Sequence, residues 1–150
     1  MKRASWLVAI ALPLLFVSHA YAGSVTLTLT RVSLTGVSDA AGVWQHEGGK
    51  IFKGTTQIGN YAVTRRVTTG GTDAQNTAMV TITLFFFNSL PPENITLQGS
   101  HNFNSGVFIG GVSATSSRYA FIRGATFTGT AGATSTLTIS WLGSSQLSLP

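Results

Sequence analysis

The 150-residue chain contains no cysteine. That removes disulfide scaffolding and thiolate chemistry. Acid is almost as scarce: Asp39, Glu47, Asp73 and Glu93 are the only four carboxylate side chains, and they are dispersed. With two histidines beyond residue 22 (His46 and His101), they form no spaced ligand set, so neither a metal nor a cofactor is expected. Only 9% of the chain is charged, so Thr, Ser, Asn and Gln must wet the surface. The basic residues are scattered, with no stripe and no reading module, which argues against a nucleic-acid partner. No G-x-S-x-G elbow or phosphate-cradling glycine loop occurs in a strand–helix context. Disorder is excluded by a hydrophobic content of 43%.

The chain opens like an export signal. Lys2 and Arg3 give a basic start, residues 6–17 are apolar except for Pro13, and Ala20-Tyr21-Ala22 is a small-x-small cleavage signal. The expectation is a signal peptide over residues 1–22 and a secreted or periplasmic protein starting at Gly23. The apolar run is short for a membrane span, so no stable span is expected after cleavage. The remaining 128 residues suit one domain with its own core. Without Lys2 and Arg3, seven basic residues face four acids, a net charge of +3.

Helical periodicity is missing from the rest. Thr-rich alternating runs are separated by Gly, Asn, Ser and Asp clusters, the pattern of an all-β domain. Strands are expected at residues 25–34, 51–56, 58–68 with a join or bend near Gly59, 78–87, 94–103, a short one before Gly110-Gly111, 119–128 and 135–142. Residues 36–49 read mainly as a loop with a short strand near Val43 and Trp44, residues 70–73 as a turn, and the tail from Gly143 has no clear element. The run ending in Phe85, Phe86 and Phe87 cannot alternate, so both its faces are expected to be covered. About eight strands with one apolar phase each fit an antiparallel closed barrel or a β-sandwich, and composition does not choose.

Three segments resemble the allene oxide cyclase and dirigent-like β-barrel family. Ile95-Thr96-Leu97-Gln98-Gly99 resembles its I-x-V-Q-G strand. Gly110-Gly111 followed by Arg118-Tyr119-Ala120-Phe121-Ile122-Arg123-Gly124 is similar to its GG-x-G-x-Y-x-x-A-x-G segment, and residues 52–59 to its L-Y-D-x-x-G-x-x-V-G segment. The similarity spans residues 51–127. Lys53 stands where the family carries an acid, the loop from Gly111 to Arg118 is longer, and Ile122 replaces a small residue. The resemblance implies a closed barrel. It also implies small hydrophobic ligands, since family members include cyclases of fatty-acid epoxides and proteins that steer radical coupling of phenols.

Polar groups in the apolar phase of a strand would line a barrel's interior. Arg31 follows Val25, Leu27 and Leu29. Tyr61 and Arg65 share phase with Val63 and Val67, and His101 with Ile95 and Leu97. Tyr119 and Arg123 share phase with Phe121 and Phe127, and Trp141 with Leu137 and Ile139. These seven are the candidate ligand-binding residues, expected to meet at one mouth around an apolar molecule with an anionic or carbonyl end. Each has a plainer role: Arg31 near a strand end reaching solvent, His101 hydrogen-bonded structurally, Tyr119 and Trp141 as core or rim. Arg65 and Arg66, being adjacent, must face opposite ways. Glu47 beside His46 in a Gly-rich loop is a candidate acid/base pair, although neighbours in sequence tend to point apart. Catalytic residues are not assigned, and Gly110-Gly111 reads as a tight turn between strands. The competing function is a structural or adhesive pilin-like subunit joined by strand exchange. Homo-oligomerisation through Phe85, Phe86 and Phe87 is a further expectation.

Overall fold

The computed structural model describes residues 23–39, 42–67, 77–88 and 90–150. The expected signal peptide and the expected turn at residues 70–73 lie outside the described residues. Eight strands follow in order: β1 (Gly23–Asp39), β2 (Gly42–Lys53), β3 (Thr56–Val67), β4 (Thr77–Phe86), β5 (Glu93–Asn102), β6 (Val107–Thr115), β7 (Thr126–Thr130) and β8 (Thr134–Trp141), with a 3-10 helix, Ser117–Ile122, between β6 and β7. Each strand pairs antiparallel with the next. β8 returns to β1 in a register from Gly23↔Trp141 to Thr30↔Thr134, which closes the barrel. Closure decides against the sandwich. Pairing is not complete along every strand: among the described residues, the outer part of β1, from Ser33 to Asp39, pairs with β2 alone. Among the described residues, no helix is long and apolar enough to cross a membrane.

The alternation of the sequence is what fills the barrel. In β4, Ala78, Val80, Ile82, Leu84 and Phe86 are buried, and all but Ala78 share one core with Ile95 and Leu97 of β5 and Leu137 and Ile139 of β8. Burying each large apolar side chain is worth about 1.5–3 kcal/mol, and eight strands enclose a width that side chains can fill.

Glycine misled the strand boundaries. Residues 36–49 are not mainly loop: β1 runs to Asp39 and β2 starts at Gly42, a long hairpin with a register shift between Arg31 and Ser33. Gly59 lies inside β3, and the turn falls at Gly54 and Thr55. Gly110-Gly111 is not a turn but the middle of β6. Residues 119–122 are not extended: a kink at Tyr119 joins two short 3-10 turns. The three phenylalanines do alternate: Phe86 is buried, Phe85 and Phe87 are exposed.

Register defines the two ends. The upper end carries the β1–β2 hairpin, the last residues of β3 and first of β4, and the β5–β6 and β7–β8 turns. The lower end carries Gly23, the β2–β3 turn, the β4–β5 connection, the 3-10 helix and the C-terminal tail.

Candidate functional site

Toward the upper end the apolar core gives way to a buried polar network. Glu47 of β2 is paired with Val63 of β3 and is 6% exposed. Tyr61 donates its hydroxyl to Glu47 Oε1 at 2.7 Å, and Arg65 donates from Nη2 to Glu47 Oε2 at 2.8 Å. Both donors reach inward because 61, 63 and 65 share one face of β3. The Tyr61 ring lies over Gly49, where an added Cβ would come within 2.6 Å of the ring; a side chain at 49 would displace it. Burial raises the Tyr61 pKa, and accepting carboxylate and charge of Glu47 raise it further. Tyr61 therefore stays a hydrogen-bond donor at ordinary pH.

His101 of β5 is paired with Phe108 of β6 and is 5% exposed. Its ring packs against Phe108 at 4.5 Å and Phe103 at 4.4 Å between centroids. The Arg65 guanidinium sits 5.2 Å from the Phe108 centroid. Burial, reinforced by the positive charge of Arg65 and opposed by Glu47, lowers the His101 pKa to about 4. The imidazole is therefore neutral near pH 7 and offers one donor and one acceptor. Both ring nitrogens are buried with no hydrogen-bond partner among the described residues, and so is Nε of Arg65.

The seven candidates divide between the two ends, so they do not converge on one mouth. Tyr61, Arg65 and His101 come together. Arg31 belongs to the same region, close enough for its charge to act on Tyr61, but it is exposed at the register shift. Tyr119, Arg123 and Trp141 lie at the lower end. The Tyr119 hydroxyl accepts from Asn88 Nδ2 at 3.0 Å, and its ring packs edge-on against Phe86. The Trp141 indole N–H donates to the Ser145 carbonyl at 2.9 Å. Arg123 is not in an inward strand phase: it is exposed beyond the 3-10 helix and donates to Thr115 Oγ1 and the Thr115 carbonyl. The local fold explains this: the 3-10 turns kink at Tyr119 (φ −103°, ψ 15°) and bury Tyr119 and Ile122, leaving Arg123 outside.

The His46–Glu47 acid/base pair does not form, since Glu47 points inward and His46 is exposed, within 3.4 Å of Thr64 Oγ1. Glu47 itself is the network's centre. Its phase with Ile51 was visible in the sequence, but Gly48 and Gly49 made the segment read as loop. Arg65 and Arg66 do face opposite ways: Arg66 stacks on Trp44 at 5.2 Å. Among the described residues, no three His, Asp or Glu side chains gather where they could hold a metal ion. What the cluster offers chemically is hydrogen bonding, an aromatic wall and a neutral imidazole.

No protein-family model matches the chain, and no curated protein matches it by sequence. Among solved structures, the chain is similar to a pyocyanin demethylase, with a TM-score of 0.61 and 11% sequence identity over 78% of this chain and 98% of that one. At that identity the likeness is one of fold: an all-β, closed, eight-stranded antiparallel barrel.

Proposed function

We propose that this barrel binds a hydrophobic small molecule at its upper end, against the cluster of Glu47, Tyr61, Arg65 and His101. The observation that carries the reading is the polar character of three inward positions. A core that needed only filling would carry apolar side chains at 47, 65 and 101, as it does at Val63, Val80 and Leu97; a buried ion pair is frequently no more stabilising than an apolar replacement. A neutral His101 whose two nitrogens have no partner among the described residues leaves hydrogen-bonding capacity that a ligand could use. The barrel's likeness to a pyocyanin demethylase and the sequence resemblance to allene oxide cyclase and dirigent barrels support the same class of partner. On this reading, any catalysis, whether cyclisation or coupling, works by holding a reactive substrate in one conformation. The export signal expected over residues 1–22 supports a site of action outside the cytoplasm.

Thermal denaturation against a panel of phenols, fatty-acid derivatives and pyocyanin tests the proposal. A true ligand at 100 times its Kd should stabilise the fold by about 2.7 kcal/mol. His101→Ala and Glu47→Gln should lose that shift, while Arg123→Ala, at the opposite end, should keep it. Equal shifts in all three variants would place binding elsewhere and defeat the assignment.

A further inference from the structure

The upper cluster continues into a chain of ring contacts, tilted at 50° and 54°, that the ion-pair network does not explain. Arg65 lies over Phe108, Phe108 packs on His101, and His101 packs on Phe103, at 5.2, 4.5 and 4.4 Å. The inner members are locked, since Phe108 and His101 are buried. The outermost is not: Phe103 begins the β5–β6 turn and is 36% exposed. Around it the backbone is tied down. Asn102 Oδ1 accepts from the N–H groups of Asn104 and Ser105 at 2.9 and 3.0 Å. The Gly106 N–H donates to the Asn102 carbonyl, and the Ala131 N–H to the Gly106 carbonyl. The Phe103 side chain can therefore leave His101 by rotating about its own bonds, with no rearrangement of the turn.

We propose that Phe103 is a replaceable ring holding the seat of an aromatic ligand, and that the site takes a flat, uncharged aromatic molecule with a hydroxyl or ring nitrogen at its edge. This rests on the small-molecule reading above and narrows it. Rotation of Phe103 uncovers one face of His101. Any apolar body could refill the volume, but only a ring restores the tilted ring–ring contact. Only an edge donor or acceptor engages the imidazole nitrogens, which have no partner among the described residues. The charge at the seat is already balanced, since Glu47 engages Arg65, so an ionised ligand would enter a dry site without a counter-ion.

Two measurements test this. The first is binding of 2-naphthol and its saturated counterpart decahydro-2-naphthol to the wild-type protein, Phe103→Ala and His101→Phe. Removing the competing ring should tighten 2-naphthol by about tenfold, the scale of one aromatic contact, and should tighten the saturated alcohol less. His101→Phe should weaken 2-naphthol. The second is carbethoxylation of His101 by diethyl pyrocarbonate, followed by peptide mass spectrometry with exposed His46 as the internal reference. His101 should react much faster in Phe103→Ala than in wild type, and 2-naphthol should suppress the reaction. Unchanged His101 reactivity in Phe103→Ala, or 2-naphthol affinity indifferent to Phe103, overturns the proposal. If panel ligands still depend on Glu47 and His101, the small-molecule reading survives that failure. If none does, the broader reading falls instead.

Discussion

Glu47 holds Tyr61 on one carboxylate oxygen and Arg65 on the other, and the pair is almost fully withdrawn from water. Each ion loses hydration that the mutual contact largely returns, so removing one partner is worse than removing both. Arg65→Met should cost about 3–5 kcal/mol in urea unfolding, the penalty of an unpaired buried carboxylate. Combining it with Glu47→Leu and Tyr61→Phe should recover most of that loss. A triple variant as unstable as the single one would mean that the network's shape, rather than its charge, sustains the fold. His101 makes a pH prediction. Its folded pKa, about 4, lies below the ordinary value of 6.5, so the unfolded chain binds its proton first. The stability His101 permits is therefore complete above about pH 6.5 and declines as pH falls toward 4, by on the order of 2–3 kcal/mol. Relative to His101→Phe, the wild-type protein should lose that increment between pH 7 and pH 4, and parallel pH profiles for the two would refute it. Alternation alone identified Arg65 and His101 as inward residues. It could not reveal that Arg123 is outward, because a strand and a 3-10 turn put different neighbours of Tyr119 in the core.

At the scale of elements, β5 and β6 approach closely because both carry glycine at the same rung, Gly99↔Gly110. A Cβ on Gly99 would fall 2.0 Å from the Ile109 carbonyl oxygen, and one on Gly110 would fall 2.2 Å from that of Gln98 and 2.7 Å from the Phe127 ring. These are backbone clashes that no rotamer relieves. Gly111 is different: its nearest neighbour would be the Ala125 carbonyl oxygen at 3.4 Å, an ordinary contact. Gly110→Ala should therefore cost at least about 3 kcal/mol, while Gly111→Ala should stay within about 1 kcal/mol of wild type, because a restricted unfolded chain offsets small strain. Denaturant midpoints measure both, and equal effects would refute the packing argument. This is also why the sequence was misread here. A glycine required for close strand approach and a glycine required for a turn are the same letter, and only the partner strand distinguishes them. The eight strands themselves were legible, because most apolar residues recur at every second position and Asn104, Ser105 and Gly106 do mark a turn. Gly36, Gly48 and Gly49, paired inside one hairpin, broke that rule and hid Glu47.

For the whole molecule, closing the ring leaves two ends with different chemistry. The upper end holds the ion pair and the tilted ring contacts. The lower end is covered by the chain's own tail, which has no regular element. Trp141 lies across Gly23 and bonds to the Ser145 carbonyl, Leu147 packs against the core, and Leu149 is part of it. The eight residues that read as featureless thus act as a plug, adding two leucines to the cover that Tyr119 and Ile122 of the 3-10 helix give the lower end. Deleting residues 143–150 should lower stability by about 3–5 kcal/mol, the burial of roughly two leucine side chains. Leu149→Ala should by itself account for about 2–5 kcal/mol of destabilisation. Both losses should appear as a shifted urea midpoint with a single cooperative transition, because one core spans the barrel. The Glu47 network makes no bond to the tail, so a ligand that depends on His101 should bind the truncated protein with unchanged affinity wherever it remains folded. A truncation that leaves the midpoint unmoved would show that the lower end needs no plug. One that abolishes ligand binding in a folded protein would show that the two ends act as a single site.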